Sequence, residues 1–286
     1  MTRVKLQTAP LPRPVVPFPG ELLDSYLRRL SHANRLDPIA LRRFTAGGDR
    51  HWSVPISRLA IIAGIPVATL EHAIGDLDGG KSGTFYVRQI SVHPWTDGPA
   101  CQLCALAHGA QQPVRCRKKP EEVVCLRHRR WIGTASTTQP SLAGQPGILQ
   151  AHKQHLRLVR RFGRDETMIG FAFADHICQQ WREYRQHDAG FRHRMETFHG
   201  PSWEVPAAHP TIAAAAYPQV VALTRLLTTP YWRALATDFS NVEHPLFVKE
   251  LHETVAPGLG WPQPSYSKDP LHRWLLDGRR RTRFDF

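Results

Sequence analysis

Two short cysteine motifs carry the clearest chemistry in the sequence. Cys101-Gln-Leu-Cys104 is followed, after 20 intervening residues, by Cys125-Leu-Arg-His128. A spacing of two residues lets a tight turn direct both side chains of a pair at one metal ion, and two such pairs complete a tetrahedral set. Three thiolates and one imidazole are ligands that suit Zn²⁺. The sequence therefore predicts one structural zinc ion bound by Cys101, Cys104, Cys125 and His128.

The residues around these motifs argue against a catalytic ion. Four protein ligands leave no coordination position for water or substrate. A zinc deaminase needs a His-x-Glu triplet upstream of its cysteines, and here the triplet is His93-Pro94-Trp95. The sequence also has no Gly-x-Ser-x-Gly, phosphate-loop or His-Glu-x-x-His motif. We therefore expect that the protein is not an enzyme.

Other cysteines and histidines remain alternatives at this stage. Cys116 and His108 lie between the two pairs and could substitute for a ligand, but neither belongs to a two-residue motif. Cys178 lies among apolar residues and is interpreted as core. His152 and His155 could also meet a metal, although solvated surface histidines are the simpler interpretation.

Positive charge is concentrated in three segments of a chain whose net charge is +13. Residues 101–131 hold seven Lys/Arg, 152–164 hold five, and 279–283 hold four. Such patches are typical of proteins that bind a polyanion, most simply nucleic acid, and solvated helix faces are the alternative. The predicted phosphate contacts are Arg115, Arg117, Lys118, Lys119, Arg127, Arg129, Arg130, Lys153, Arg157, Arg160, Arg161 and Arg164.

Residues 56–73 have a helix-turn-helix pattern. Ala60 is small enough for two helices to cross closely, Gly64 supplies the turn, and Leu59, Ala63, Ile65, Leu70 and Ala73 form the predicted interior. The second helix begins with Val67, Ala68, Thr69, Glu71 and His72, whereas base reading usually needs Arg, Asn or Gln. A structural or protein-contacting role therefore competes with DNA reading.

Composition divides the 286-residue chain into segments and predicts a mainly α-helical fold. Residues 1–80 read as an N-terminal helical domain, in which Asp37-Pro38 and Gly47-Gly48 are typical of a helix start and end. Residues 81–132 read as a small β zinc ribbon, 133–147 as a linker and 148–286 as a helical C-terminal domain. Candidate helices in that last segment cover residues 152–162, 168–185, 219–227, 231–237 and 269–276.

The sequence shows neither a signal peptide nor a membrane-spanning segment. Prolines interrupt the first residues, and the best apolar runs, 59–70 and 210–224, are too short to cross a bilayer. Five cysteines is an odd number, which favours metal binding over disulfides. We expect a cytoplasmic, nucleoid-associated protein with no membrane partner.

The order of these motifs resembles that of the TniQ/TnsD family of transposition target-selection proteins. The segment from Pro17 through Gly20-Glu21 to Leu30 is similar to the family's opening proline, Gly-Glu and Ser-Trp-Leu-x-Arg-Leu helix, with Tyr26 where Trp is usual. The two metal-binding pairs resemble the family's zinc ribbon at a similar distance downstream. The resemblance covers about residues 15–132, and nothing is transferred to the second half of the chain.

The resemblance implies a protein that binds DNA, or a DNA-bound targeting complex, and selects where a transposon inserts. It also implies an AAA+ ATPase regulator as partner, and through it a transposase. A zinc-ribbon and helix-turn-helix transcription regulator without an ATPase partner is the alternative. A zinc-dependent enzyme acting on nucleic acid is the third interpretation, and it requires an exchangeable position on the metal.

Overall fold

A computed structural model describes residues 9–47, 53–76, 85–87, 90–92, 95–183, 189–237, 244–255 and 271. The helices and strands of this part of the chain are, in order, α1 (Leu23–Ala33), α2 (Pro38–Ala46), α3 (Ile56–Ala63), α4 (Val67–Ala73), β1 (Phe85–Val87), β2 (Ile90–Val92), β3 (Thr96–Pro99), α5 (Gln102–Ala107), β4 (Arg115–Lys118), β5 (Val124–Cys125), β6 (Arg130–Trp131), α6 (Pro146–Phe162), α7 (Arg164–Glu183), α8 (Ala189–His199), α9 (Pro210–Thr228), α10 (Pro230–Thr237) and α11 (His244–Thr254).

The described chain is mainly α-helical, as the sequence predicts. Its strands form three two-stranded antiparallel sheets, β1–β2, β3–β4 and β5–β6. In β3–β4, Thr96 pairs with Lys118 and Pro99 with Arg115. No single helix within the described ranges has the length and apolarity needed to cross a membrane, while α3 and α4 pass that test together as a bent pair.

The first compact unit contains α1 to α4 together with β3, α5 and β4. Its main core is formed by apolar side chains of the four helices, among them Tyr26, Leu30, Leu59 and Leu70, all fully buried. Backbone hydrogen bonds join the segment before α1 to β4: Leu22 N–H donates to Arg115 O, and Arg117 N–H donates to Gly20 O.

The α3–α4 pair forms at the predicted residues. Gly64 adopts the left-handed conformation (φ +65°) that ends α3, and the two helix axes differ by 108°. This angle lies in the range of helix-turn-helix motifs. Four of the five predicted interior residues are buried and Ile65 is half-buried.

Capping residues set the bounds of α2 as predicted. The Asp37 carboxylate accepts a hydrogen bond from Ala40 N–H at 2.7 Å, and Pro38 occupies the first helical position. Gly47, with φ +70°, follows the last helical residue.

A buried ion pair lies at the start of α1. Arg29 Nη1 donates to Glu21 Oε2 at 2.6 Å, and both side chains are almost fully buried. Ser25 Oγ and the backbone N–H of Phe18 also donate to the Glu21 carboxylate. Burial raises the pKa of Glu21 above its ordinary value, although these donors and the Arg29 charge act in the opposite direction. The Gly-Glu, Ser and Arg residues of the opening motif therefore have a structural role.

The second compact unit contains β1, β2, β5, β6 and α6 to α11. Buried apolar side chains of α7, α9 and α11 form one core cluster, and a second links the β5–β6 hairpin to α6 and α9. A Cβ atom at Gly170 would lie 2.4 Å from Thr228 Cγ2, so glycine is needed where α7 approaches α9.

The two units depart from the boundaries at residues 80, 132 and 147 that composition predicts. The first unit combines residues 1–82 with 95–122 and 134–139. The predicted linker, 133–147, is packed rather than free: Leu142 is fully buried, and its backbone N–H donates to Arg129 O. Composition could not reveal this because the apolar anchor is a single residue in a polar stretch.

Several helices are longer than predicted. α6 starts at Pro146 instead of residue 152, and α9 starts at Pro210 instead of residue 219. In both helices proline occupies one of the first positions, where its missing N–H costs nothing. Pro218 is tolerated inside α9. The predicted helix at 269–276 lies, apart from Leu271, outside the described residues, as does the basic segment 279–283.

Candidate metal centre

The first pair of metal ligands lies where β3 leads into α5. Cys101 is the N-cap residue of α5, with φ −60° and ψ 121°, and Cys104 lies in the first turn of that helix. One helical turn brings residues three apart to the same side, so the two thiols face a common point. Cys101 is buried and Cys104 is half-buried.

The second pair lies in the β5–β6 hairpin. Cys125 pairs with Arg130 across the hairpin, and residues 126–129 form its turn. Arg129 has φ +46°, a left-handed conformation that turns the chain back. Cys125 Sγ and His128 Nδ1 lie 3.6 Å apart.

The four predicted ligands form one group whose ligand atoms all lie within 4.8 Å of one another. A tetrahedral ion with Zn–S bonds of about 2.3 Å and Zn–N bonds of about 2.0 Å separates its ligand atoms by roughly 3.5 to 3.8 Å. The distance between Cys125 Sγ and His128 Nδ1 agrees with this requirement. The cluster could therefore bind one metal ion, and its sulfur-rich donor set favours zinc over harder cations.

The alternative ligands have other roles. Cys116 is buried, its thiol donates to Pro19 O at 3.7 Å, and burial raises its pKa to about 12, so the thiolate form that a metal needs is strongly disfavoured. His108 contacts Phe18 edge-on, with ring centroids 5.2 Å apart. Neither belongs to the metal-binding group in the described residues. Cys178 is fully buried in the α7 core, as predicted.

Gln139 contacts the backbone next to Cys101 and was not anticipated. Its Nε2 donates to Ala100 O at 2.7 Å, and its Oε1 accepts from Gln102 N–H at 2.9 Å. The residue is 5% exposed. The sequence offers no signal for this role, because Gln139 lies in a polar stretch 39 and 37 residues from its two partners.

The predicted phosphate contacts of the ribbon segment are not equivalent. Arg115, Arg127 and Arg129 are exposed, and Arg127 and Arg129 lie in the same turn as His128. Arg117 is half-buried and forms an ion pair with Asp97 at 3.4 Å. Lys119 and Arg130 are half-buried.

Lys118 is a correction to the predicted set. It is 8% exposed, and its Nζ donates to Pro99 O at 3.2 Å. Strand alternation places it on the same face as buried Cys116. Burial also lowers the pKa of its ammonium group. Lys118 is therefore a structural residue and not a phosphate contact.

The basic residues of α6 form one exposed face. Their positions on a helix of 3.6 residues per turn lie within about 100° of the circumference and along about 12 Å of the axis. The opposite face is buried. The residues of the exposed face are Lys153, Arg157, Arg160 and Arg161. Arg164 is half-buried and is the first residue of α7.

His152 and His155 are not surface residues, contrary to the simpler expectation. Both lie on the buried face of α6, and their Nδ1 atoms lie 3.3 and 2.8 Å from the Tyr217 hydroxyl oxygen. The hydroxyl has one hydrogen, so at most one imidazole accepts it and the other must donate. The ring of Phe171 stacks on His155 at 4.8 Å. Burial, followed by the neighbouring His152, lowers the pKa of His155 to about 4.

In comparisons with known proteins, the chain matches no protein-family model, and no curated protein or solved structure is significantly similar to it.

Proposed function

We propose that the protein is a DNA-associated zinc-binding adaptor that takes part in transposon target-site selection and recruits an AAA+ ATPase regulator. The observation that carries the proposal is the Cys101–Cys104–Cys125–His128 cluster, whose second pair lies in a hairpin with two exposed arginines in its turn. In this proposal α3 and α4 form a helix-turn-helix, the cluster organises a zinc ribbon, and α6 belongs to a helical C-terminal domain.

The zinc ion has a structural task in this proposal. Coordination of Cys125 and His128 fixes the turn between β5 and β6, and with it the backbone of Arg127 and Arg129. Positively charged groups held in place contact phosphates with a smaller loss of conformational entropy than mobile ones. Because four protein ligands fill a tetrahedral ion, no site for a substrate remains at the metal.

The exposed face of α6 supplies further phosphate contacts. Four cationic side chains on one helix face, with no acidic residue between Pro146 and Phe162, give a local concentration of positive charge. By contrast, the exposed side chains of α4 include Glu71 and lack Arg, Asn and Gln. DNA binding through the backbone, rather than base reading by α4, is the mode that these charges support.

The link to transposition rests on the order of the opening motif and the metal-binding pairs, which resembles the TniQ/TnsD family. In such a system ATP hydrolysis and strand transfer belong to other subunits, which agrees with the closed zinc site proposed for this chain. The adaptor would contact the AAA+ ATPase and, through it, a transposase or another targeting complex.

DNA binding is tested with paired variants of equal charge. Arg157→Ala/Arg160→Ala removes two cations from the exposed face of α6, and we expect at least a tenfold weaker affinity for duplex DNA, measured by fluorescence anisotropy. Arg28→Ala/Arg43→Ala removes two exposed cations from α1 and α2 and serves as control. Equal losses for the two variants would reduce the effect to net charge and contradict an α6 surface.

The proposed ATPase partner is tested by affinity capture with this protein from the native host, followed by mass spectrometry of the captured proteins. An AAA+ ATPase among the captured proteins supports target selection. Captured RNA polymerase without an ATPase would favour the transcription regulator instead. Measurable turnover of a nucleic-acid substrate would contradict both.

A further inference from the structure

Hydrogen bonds hold the backbone on both sides of Cys101. Ala100 N–H donates to Val114 O at 2.9 Å, which fixes the end of β3 against the residue before β4. Cys101 O accepts from Ala105 N–H at 2.9 Å within the start of α5. Two further backbone groups beside Cys101, Ala100 O and Gln102 N–H, are both bound by the side chain of Gln139.

One amide therefore binds both peptide planes that meet at the Cα atom of Cys101. Ala100 O belongs to the peptide unit before Cys101, and Gln102 N–H belongs to the unit after it. The torsion angles φ and ψ of Cys101 are the rotations between these two planes. Holding both planes fixes the two torsions, and thereby the direction of the Cα–Cβ bond that carries the thiol.

We infer that Gln139 is a positioning residue for the metal centre, and this inference rests on the proposed zinc site. A carboxamide is suited to the task because it donates through Nε2 and accepts through Oε1 at the same time. Glutamate of the same length lacks the donor, and methionine lacks both groups. Gln102 Nε2 also donates to Thr137 O at 2.8 Å. This is a second hydrogen bond between residues 134–139 and the start of α5, besides the one from Gln102 N–H to Gln139.

The consequence for the metal follows from the geometry of zinc sites. Ligand distances have to be met within about 0.2 Å, and groups that orient ligands change metal affinity by about 10- to 100-fold when they are replaced. Both polar atoms of the Gln139 amide bind the backbone beside Cys101, so its effect would reach the metal through the position of Cys101.

The test compares Gln139→Met with Gln111→Met in the full-length protein. Methionine keeps the size of the buried side chain and removes both hydrogen bonds, and Gln111 is an exposed glutamine of the same unit. Zinc and Co²⁺ affinities are measured by competition with a chromophoric chelator, and the absorption spectrum of bound Co²⁺ reports the tetrahedral sulfur-rich ligand field. We expect an affinity about 10- to 100-fold weaker and an altered Co²⁺ spectrum for Gln139→Met only.

A second measurement separates positioning from general stabilisation. Chemical denaturation with and without zinc gives the increase in unfolding free energy that the metal provides, and each tenfold loss of affinity lowers this increase by about 1.4 kcal/mol at saturating metal. A merely structural glutamine would lower the stability of both forms equally and leave the increase unchanged, which contradicts the inference. If Gln139→Met does not fold, Gln139→Glu, which keeps the acceptor, is measured in the same way.

The two proposals fail in different ways. Wild-type protein without stoichiometric zinc would overturn the zinc site and the role of Gln139 together. Wild-type protein that binds zinc tightly, with Gln139→Met binding it equally tightly, would overturn the role of Gln139 alone.

Discussion

At the scale of single residues, burial decides which cysteines and charges can serve a function. Cys116 resembles the four ligands in sequence, but its buried thiol donates to a backbone carbonyl and has a pKa raised to about 12. Lys118 resembles its basic neighbours, but its ammonium group is bound inside the protein. Cys116 and Lys118 therefore differ in chemistry from residues of the same type a few positions away in the sequence.

Replacement of the thiol ligands tests the metal centre directly. Cys101→Ser/Cys125→Ser removes one ligand from each pair, and we expect zinc content to fall from one equivalent per chain to almost none, with a lower melting temperature. Metal analysis and calorimetry measure the two effects. Cys116→Ser is the control, because a serine hydroxyl can also donate to Pro19 O and Cys116 is outside the metal-binding group. A double variant that retains both zinc and its melting temperature would refute the site.

The Glu21–Arg29 pair gives a prediction for stability. Glu21→Leu leaves a buried guanidinium without its counter-charge, and we expect a loss of about 3 to 5 kcal/mol in urea denaturation. The control is Asp24→Ala, which breaks the ion pair between Asp24 and Arg42. That pair is solvent-accessible, so we expect a change of less than about 1 kcal/mol. Similar losses for the two variants would show that burial of the first pair has no energetic importance.

The lowered pKa of His155 predicts that the stability of the protein depends on pH. In the folded protein the imidazole has a pKa lowered to about 4 from 6.5, so folding favours the neutral form. Its contribution to stability is therefore complete above about pH 6.5 and is lost as pH falls from 6.5 through about 4, by an amount on the order of 3 kcal/mol. The measurement is the unfolding free energy of wild type and of His155→Gln between pH 7 and 4. We expect the wild-type value to fall more steeply with decreasing pH than the value for His155→Gln. A His155→Gln profile parallel to that of wild type would contradict the assignment.

At the scale of elements, the two helices most suited to DNA differ in what they expose. α6 buries one face and presents four cations on the other, whereas the exposed residues of α4 are Val67, Ala68, Thr69, Glu71 and His72. A helix-turn-helix angle between α3 and α4 therefore does not by itself make α4 a DNA reader. In the proposed DNA-binding mode, the side-chain chemistry favours phosphate contact by α6 and leaves α4 for packing or a protein contact.

Substitutions in α4 check this assignment. Thr69→Ala/His72→Ala changes two exposed side chains of α4, and we expect duplex DNA affinity within about twofold of wild type, since a base-specific contact would be worth about 1 to 3 kcal/mol. Anisotropy with several duplex sequences gives the comparison. A loss of affinity that depends on the sequence of the duplex would restore α4 as a reader.

At the scale of the whole molecule, the distribution of charge matters more than its sum. The chain carries +13, yet several of its cations are internal or paired, such as Arg29 with Glu21 and Arg225 with Glu250. The cations that remain exposed on α6 and in the β5–β6 turn belong to the second unit. Exposed cations also lie in the first unit, among them Arg28, Arg43 and Arg115, so variants of the two units can separate a local surface from net charge.

Salt dependence measures how many phosphates these surfaces contact. Each phosphate contact adds about −0.9 to the slope of log affinity against log salt on duplex DNA, so four contacts from α6 give a slope near −3.6. We expect Arg157→Ala/Arg160→Ala to make the slope shallower by about 1.8, while Arg28→Ala/Arg43→Ala leaves it unchanged. Titrations between low and moderate salt test this, and nearly salt-independent wild-type binding would contradict the charged surfaces.

The sequence alone determined the features that depend on neighbouring residues. Two-residue spacings identified the four side chains that the structure brings together, and caps such as Asp37 and Gly64 located helix ends, because turns and helix termini form between residues a few positions apart. Tertiary structure decided which polar groups are buried and what satisfies them. Gln139 binds Ala100 from 39 residues away, and His155 meets Tyr217 across 62 residues. Such partners are chosen by packing, which local sequence patterns do not encode.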